Sequence, residues 1–256
     1  MGDYVYNLLT QHHSVRRFKD QPLPESDVQH IVEAGQAAST SSYLQTYSVI
    51  GIDDLQVKES LKEVSGQPYV EDNGYLFVFV MDYYRHSVMD DERQEDLEEA
   101  FGSTENLLVG SIDVALLAQN MAVTAEDMGY GIVYLGSLRN DVARVKEILD
   151  LPDYTFPLFG MAVGVPTDNE NGSPKPRLPF EAVFHKNKYI HDKTQHRQLL
   201  RRYDQTVSDY YRQRTNGERT ETWSNQVINF MSTKQRLDML DAVSYTHLTL
   251  PTTPYV

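Results

Sequence analysis

Between His12 and Phe18 the chain reads HHSVRRF, two histidines and two arginines within seven residues of a protein whose formal net charge is −14. His12, Ser14 and Arg16 alternate, so in extended backbone their side chains leave the same side, with Val15 on the other. An arginine fork beside a hydroxyl and an imidazole matches the oxygens of a bound anion, a phosphate above all. The competing reading is a solvated basic turn paired to the acidic surface. Four further clusters can donate to oxygen or to a heteroaromatic ring. STSSYLQ, residues 39–45, sets the hydroxyls of Thr40, Ser41 and Ser42 after a helix end. YLGS, Tyr134, Leu135, Gly136 and Ser137, follows a strand pattern with a small residue where backbone can approach a flat ligand. PKPRLP holds Lys175 and Arg177 between stiffening prolines, one residue apart. Residues 197–219 carry six arginines against three carboxylates, and Arg212, Arg214 and Arg219 flank the polar turn TNGE. That turn suits a phosphate monoester, although ion pairing along a helix surface accounts for the same charges.

A side-chain nucleophile or a metal finds less support. There is no cysteine, which rules out disulfides, thiolate catalysis and cysteine-ligated metals. The eight histidines show no H-E-x-x-H or comparable ligand spacing. Neither a G-x-S-x-G elbow nor a G-x-G-x-x-G dinucleotide fingerprint occurs. That is compatible with a bound cofactor performing the chemistry while the protein holds and orients it.

Hydrophobic periodicity says what must position these residues. A short helix is expected at 4–11 and another at about 26–38, where Val28, Ile31 and Val32 recur at helical spacing after Ser26. YSVIGI (47–52) and YLFVFVM (75–81) read as strands, the second apolar on both faces and hence central. The acidic run 90–99 reads as a solvated helical face or loop. Residues 107–128 form the longest helical pattern, apolar round most of its circumference, and Gly129 closes it. Strand and turn at 131–137, helix at 141–149, strand at 158–166 and loop at 167–179 follow. Helices are expected at 196–214 and 226–239. This order predicts an α+β domain over 1–241. From Ala242 the Thr- and Pro-rich residues 242–256 are expected to be a disordered tail or of non-native origin.

Composition narrows the class. A chain of 256 residues with 40% hydrophobic and 11% aromatic content can bury a large core. Its acidity argues against general binding to nucleic acid or anionic membranes. The N-terminus lacks the basic-then-apolar pattern of a secretory signal, and no run approaches the roughly 20 apolar residues of a membrane span. A cytoplasmic location is the expectation.

Taken in order, HHSVRRF, ASTSSYLQ, SGQPYV, the long run from Leu107 to Asp141, FPLFGMAVGVP, KPRLP and RTNGERTETWS closely resemble the nitroreductase family, specifically its NADPH-dependent flavin reductase and oxygen-insensitive nitroreductase branch. The resemblance spans about 4–240. It implies a nitroreductase-like α+β fold, a central, mainly antiparallel sheet flanked by helices, and an intertwined homodimer with FMN at the subunit interface. It also implies ping-pong transfer of hydride from NADPH or NADH through flavin N5 to nitroaromatics, quinones or free flavin. An FMN-binding carrier or redox sensor without efficient turnover is the alternative. Under the resemblance His12, His13, Ser14 and Arg16 match the motif around the FMN phosphate and ribityl chain. Thr40, Ser41 and Ser42 match the ribityl and ring-edge loop, and Gln67 and Tyr69 match further flavin contacts. Tyr134, Leu135, Gly136 and Ser137 match the strand end along the isoalloxazine, and Lys175 and Arg177 its N1–C2 edge. Arg214 and Arg219 match cations for the NADPH 2′-phosphate, and Arg139 and Arg236 the acceptor pocket. His13 stands where the family has arginine, Ser137 where it has glycine, and Thr220 where it has a second cation.

Overall fold

The computed structural model describes residues 3–89, 94–170 and 172–233; Arg236 and the expected tail at 242–256 lie outside the described residues. These residues divide into two compact units, one running to Gly172 and the other starting at Ser173.

In the first unit, α1 (Tyr4–Thr10) and α2 (Glu25–Gln36) precede β1 (Tyr47–Ile52), α3 (Leu55–Ser65), β2 (Tyr75–Asp82), α4 (Tyr84–Ser87) and α5 (Gln94–Phe101). Then come α6 (Thr104–Asp127), β3 (Gly131–Leu135), α7 (Val142–Ile148) and β4 (Thr155–Gly164). The four strands form one antiparallel sheet in the order β1-β2-β4-β3. Val49 faces Phe79, Phe77 faces Met161, and Ile132 faces Val163.

Strand β2 shows why the run from Leu76 to Met81 is apolar throughout. Successive side chains of a strand point to opposite faces. Phe77, Phe79 and Met81 join one core cluster with Leu117 and Met121 of α6. Leu76, Val78 and Val80 join the other with Leu61 of α3 and Val145 of α7. Helices thus cover both sides of the sheet, and the run YLFVFVM feeds two cores at once.

Helix α6 packs against β2 and α2 at two glycines. A Cβ on Gly110 would lie 2.5 Å from Met81 Cγ, and one on Gly35 of α2 would lie 2.5 Å from Met121 Cγ. By length and composition alone α6 could cross a membrane, contrary to the sequence expectation. Its buried residues, among them Val114, Leu117, Ala118 and Met121, instead make it the core helix of this unit. Leu108, Ile112 and Leu116, at i, i+4 and i+8, leave a second apolar stripe exposed. Helix α3 was not expected, yet Asp54 caps it through Gln56 N and Val57 N at 2.9 and 3.0 Å, and Gly66 ends it in the left-handed region at φ 68°.

The second unit holds α8 (Phe180–Val183), α9 (Lys193–Arg214) and α10 (Trp223–Thr233). Its core is Tyr203, Val207 and Tyr211 on one face of α9, with Leu178, Tyr210 and Trp223 packed around them. Asp204 accepts from Ser224 N at 2.8 Å and so fixes the start of α10 on α9.

Candidate cofactor and coenzyme site

The basic segment runs extended beside the sheet. Val15 N donates to Ile132 O of β3 at 2.9 Å, Lys19 N to Val165 O at 2.8 Å, and Thr167 N to Arg17 O at 3.1 Å. Val15 is buried against Gly131, whose hydrogen is required because a Cβ there would lie 2.6 Å from Val15 Cγ2. Alternation then turns Ser14 and Arg16 away from the sheet. Arg16 is exposed, and Nη1 donates to Ser14 O at 3.3 Å. His12 takes a different course: its Nδ1 donates to Glu126 Oε1 at 2.6 Å. His12, His13, Glu126 and Glu170 border a hollow of about 310 Å³. Two carboxylates repel a phosphate there, so Ser14 and Arg16 are the members of this motif best placed to meet one.

The hydroxyl loop is held from beneath by a residue that the sequence pattern hid. Asp113 of α6 is wholly buried and accepts from Ser41 N at 2.9 Å, Thr46 N at 3.3 Å and Thr46 Oγ1 at 2.9 Å. His86 Nε2 donates to Leu44 O at 2.8 Å, and Arg85 Nη1 to Tyr47 O at 3.3 Å. Between these anchors Ser42, Tyr43 and Gln45 all adopt positive φ, at 49°, 61° and 53°. Three non-glycine residues in that region within four positions store strain, which persists only where the surroundings over-determine it. Ser41, Ser42 and Tyr43 are thereby presented on the surface, with Thr40 half-buried beside them. A lone carboxylate inside the apolar run LLVGSIDVALLA was the signal available in the sequence.

At the end of β3 the expected ligand-facing residues separate. Tyr134 hydroxyl donates to Ala118 O of α6 at 2.9 Å, and its ring meets Phe159 edge-on at 5.6 Å. Burial, then the charge of Glu126, raises its pKa beyond the usual tyrosine range. Leu135 is buried in the α3-side core. Gly136 and Ser137 begin a 3₁₀ turn, Gly136–Asn140, and Ser137 Oγ meets Ser65 Oγ of α3 at 2.5 Å. That bond ties the β3 end to the segment carrying Gln67 and Tyr69, itself pinned by Asn73 Nδ2 donating to Tyr69 O at 3.0 Å. Arg139 donates to Leu158 O of β4, so this guanidinium anchors the turn to the sheet.

In the second unit Lys175 and Arg177 are exposed on a segment held by α9. Tyr203 hydroxyl donates to Pro176 O at 2.9 Å, and Arg177 Nη1 to Lys175 O at 3.0 Å. Arg214 Nη1 donates to Tyr210 hydroxyl at 2.8 Å, while Arg219 lies 4.1 Å over the Tyr211 ring and pairs with Glu221 through Nε at 2.9 Å and through Nη2. Burial pushes the Tyr210 hydroxyl up, but its bonds with Ser173 and Arg214 and the charges of Arg214 and Lys175 outweigh this and leave it below the ordinary value. The turn between the two arginines uses positive φ at Asn216 and Gly217, 51° and 90°. A cavity of about 550 Å³ opens beside them, lined by Lys175, Arg177 and a set of aromatic side chains from α9 and α10.

Comparison with known proteins adds independent findings. Residues 9–165 match the model of the nitroreductase family, and residues 175–250 match that of the nitroreductase family, C-terminal domain. A curated NADPH-dependent oxidoreductase from Staphylococcus saprophyticus is 69% identical over 244 residues, covering 95% of this chain and 97% of the relative. Among solved structures, the NfrA1 nitroreductase from B. subtilis superposes with a TM-score of 0.91 at 46% identity, covering 95% of this chain and 98% of that one. The NADPH:FMN oxidoreductase from Vibrio harveyi, complexed with NAD+, gives 0.83 at 35% identity, covering 95% and 97%.

Proposed function

The chain belongs to the nitroreductase family, and from that premise we propose that it is an NADPH-preferring, FMN-dependent oxidoreductase. Its acceptors would be nitroaromatics, quinones or free flavin, reduced in a ping-pong cycle by a homodimer. FMN when bound would take up hydride from the reduced nicotinamide and hand electrons on to the acceptor. The chain's own residues bind, orient and supply charge.

The observation that carries this reading is the presentation of Ser14 and Arg16. Val15 pins the segment to β3, and among the described residues the exposed guanidinium is committed to one backbone carbonyl. Its remaining donors suit the terminal phosphate of FMN, with Ser14 hydroxyl beside them. Ser41, Ser42 and Gln67 offer neutral donors for the ribityl chain and ring edge. Lys175 and Arg177 would supply positive charge to the N1–C2 edge, which favours electron uptake by the ring. For the coenzyme, Arg214 and Arg219 form a paired site for the 2′-phosphate. Glu221 now holds Arg219, but an exposed ion pair contributes only about 0–1 kcal/mol, so a phosphate dianion can displace it. NADPH dependence in the Staphylococcus relative and the FMN and NADPH named for the Vibrio harveyi enzyme support the same assignment. The dimer reading rests on the exposed apolar side chains of α1, Tyr4, Val5, Tyr6 and Leu9, and on the α6 stripe.

Arg16→Ala tests the flavin assignment. One charge-assisted contact contributes about 1.5–3 kcal/mol, so the variant should bind FMN roughly 10- to 100-fold more weakly. The check is flavin absorbance retained after dialysis. Undiminished retention would remove Arg16 from the phosphate site.

A further inference from the structure

Tyr210 and Tyr211 serve two neighbourhoods at once. They carry Arg214 and Arg219, and they also line the cavity of about 550 Å³ together with Tyr203, Trp223 and Gln226. That volume suits a small molecule, and walls of aromatic rings favour a flat ring as occupant. The amide of Gln226 narrows the chemistry. Among the described residues its Nε2 is buried without a hydrogen-bond partner, and its Oε1 accepts a 3.4 Å contact from Tyr211 hydroxyl. A buried donor left unpaired is unfavourable, so the site calls for a ligand that brings an acceptor. A glutamine amide presents a donor and an acceptor side by side, the complement of the N7 and N6-amino edge of adenine. Quinone and nitro oxygens accept but do not donate, and would leave the Gln226 carbonyl with its long contact from Tyr211 alone.

We propose that this cavity receives the adenine ring of the nicotinamide coenzyme. Gln226 reads the ring's N7 and N6-amino edge, Trp223 and the tyrosines stack on it, and Arg214 and Arg219 take the phosphate attached to its ribose. The assignment rests on the reading of those two arginines as the coenzyme's phosphate cations. It makes Tyr210 and Tyr211 the link between the two halves of the subsite, since each touches one arginine and one cavity wall.

Trp223 is the chain's one tryptophan, so its fluorescence reports the cavity directly. The flavin-loaded full chain is titrated with adenosine 2′,5′-bisphosphate, and separately with nicotinamide mononucleotide, which lacks adenine. Saturable quenching by the first and none by the second is the expected result. Gln226→Leu should weaken the bisphosphate titration roughly five- to tenfold, as loss of neutral hydrogen bonds implies. If this variant fails to fold, quenching in the unmodified protein still decides the matter. Should the bisphosphate compete with NADPH in turnover yet leave Trp223 emission unchanged, the cavity assignment is overturned and the arginine reading survives. If it neither competes nor quenches, the arginine reading falls and takes this inference with it. Quenching by a quinone or nitroaromatic in place of the bisphosphate would also overturn it.

Discussion

At the scale of single residues, the candidate site is a set of cations and hydroxyls whose neighbours decide which of them are available. His12 is drawn to Glu126 and Arg139 to the backbone of β4, whereas Arg16 remains exposed and, among the described residues, donates to one backbone carbonyl. Arg214 and Arg219 rest on tyrosines that keep them adjacent to an aromatic cavity. Replacing both by alanine should raise the KM for NADPH about 100-fold or more, as two charge-assisted phosphate contacts of about 1.5 kcal/mol or more each imply, and change that for NADH little. Steady-state kinetics with the two coenzymes provide the check, and equal effects would reassign these cations to packing or solubility. The clusters HHSVRRF, STSSYLQ and PKPRLP were legible in the sequence because charge and hydroxyl density need no tertiary information. Asp113 was not, because a carboxylate inside an apolar helix shows its role only once the 41–46 loop folds over it. Tyr134 shows a second contact of this kind. It sits where a strand end should meet a flat ligand, yet its hydroxyl is engaged across the core with α6.

Among the elements, β2 and α6 organise the first unit. Their sequences made both recognisable: an unbroken apolar run of strand length, and a long apolar helical pattern ended by Gly129. Helix α3 carried readable signals too, Asp54 as cap, Val57, Leu61 and Val64 at helical spacing, and Gly66 after its end. They lie between two stronger strand patterns, which mask them. The aromatic positions Tyr203, Tyr210 and Tyr211 were obscured by the arginines around them, although their spacing with Val207 marks one face of α9. Where α2 crosses α6 the fit is steric. Gly35→Ala places a methyl 2.5 Å from Met121 Cγ and 3.3 Å from Leu117 Cγ, both on wholly buried side chains. Overpacking of this kind costs about 1–3 kcal/mol. Chemical denaturation should show a lower midpoint with an unchanged slope. An unchanged midpoint would mean that α2 shifts freely and does not brace the site.

For the whole molecule, a net charge of −14 surrounds a few local concentrations of positive charge, which under the proposed function would receive phosphate-bearing ligands at defined places. The apolar side chains left outside are informative as well. Leu108, Ile112 and Leu116 on α6 and the face of α1 form patches of the kind that mark subunit contacts. Ile112→Glu should convert the proposed dimer to monomer in analytical ultracentrifugation, with loss of flavin if FMN sits at the interface. A dimer that survives the substitution would place the interface elsewhere. The central claim, that reduced coenzyme and acceptor are used in turn through a bound flavin, is tested most directly by anaerobic stopped-flow absorbance at the flavin's visible band. Mixing the purified yellow protein with NADPH should bleach that band faster than mixing with NADH, and a nitroaromatic or quinone added afterwards should restore it. A flavin-bound protein that neither coenzyme bleaches would contradict the account and make the chain a flavin carrier or sensor.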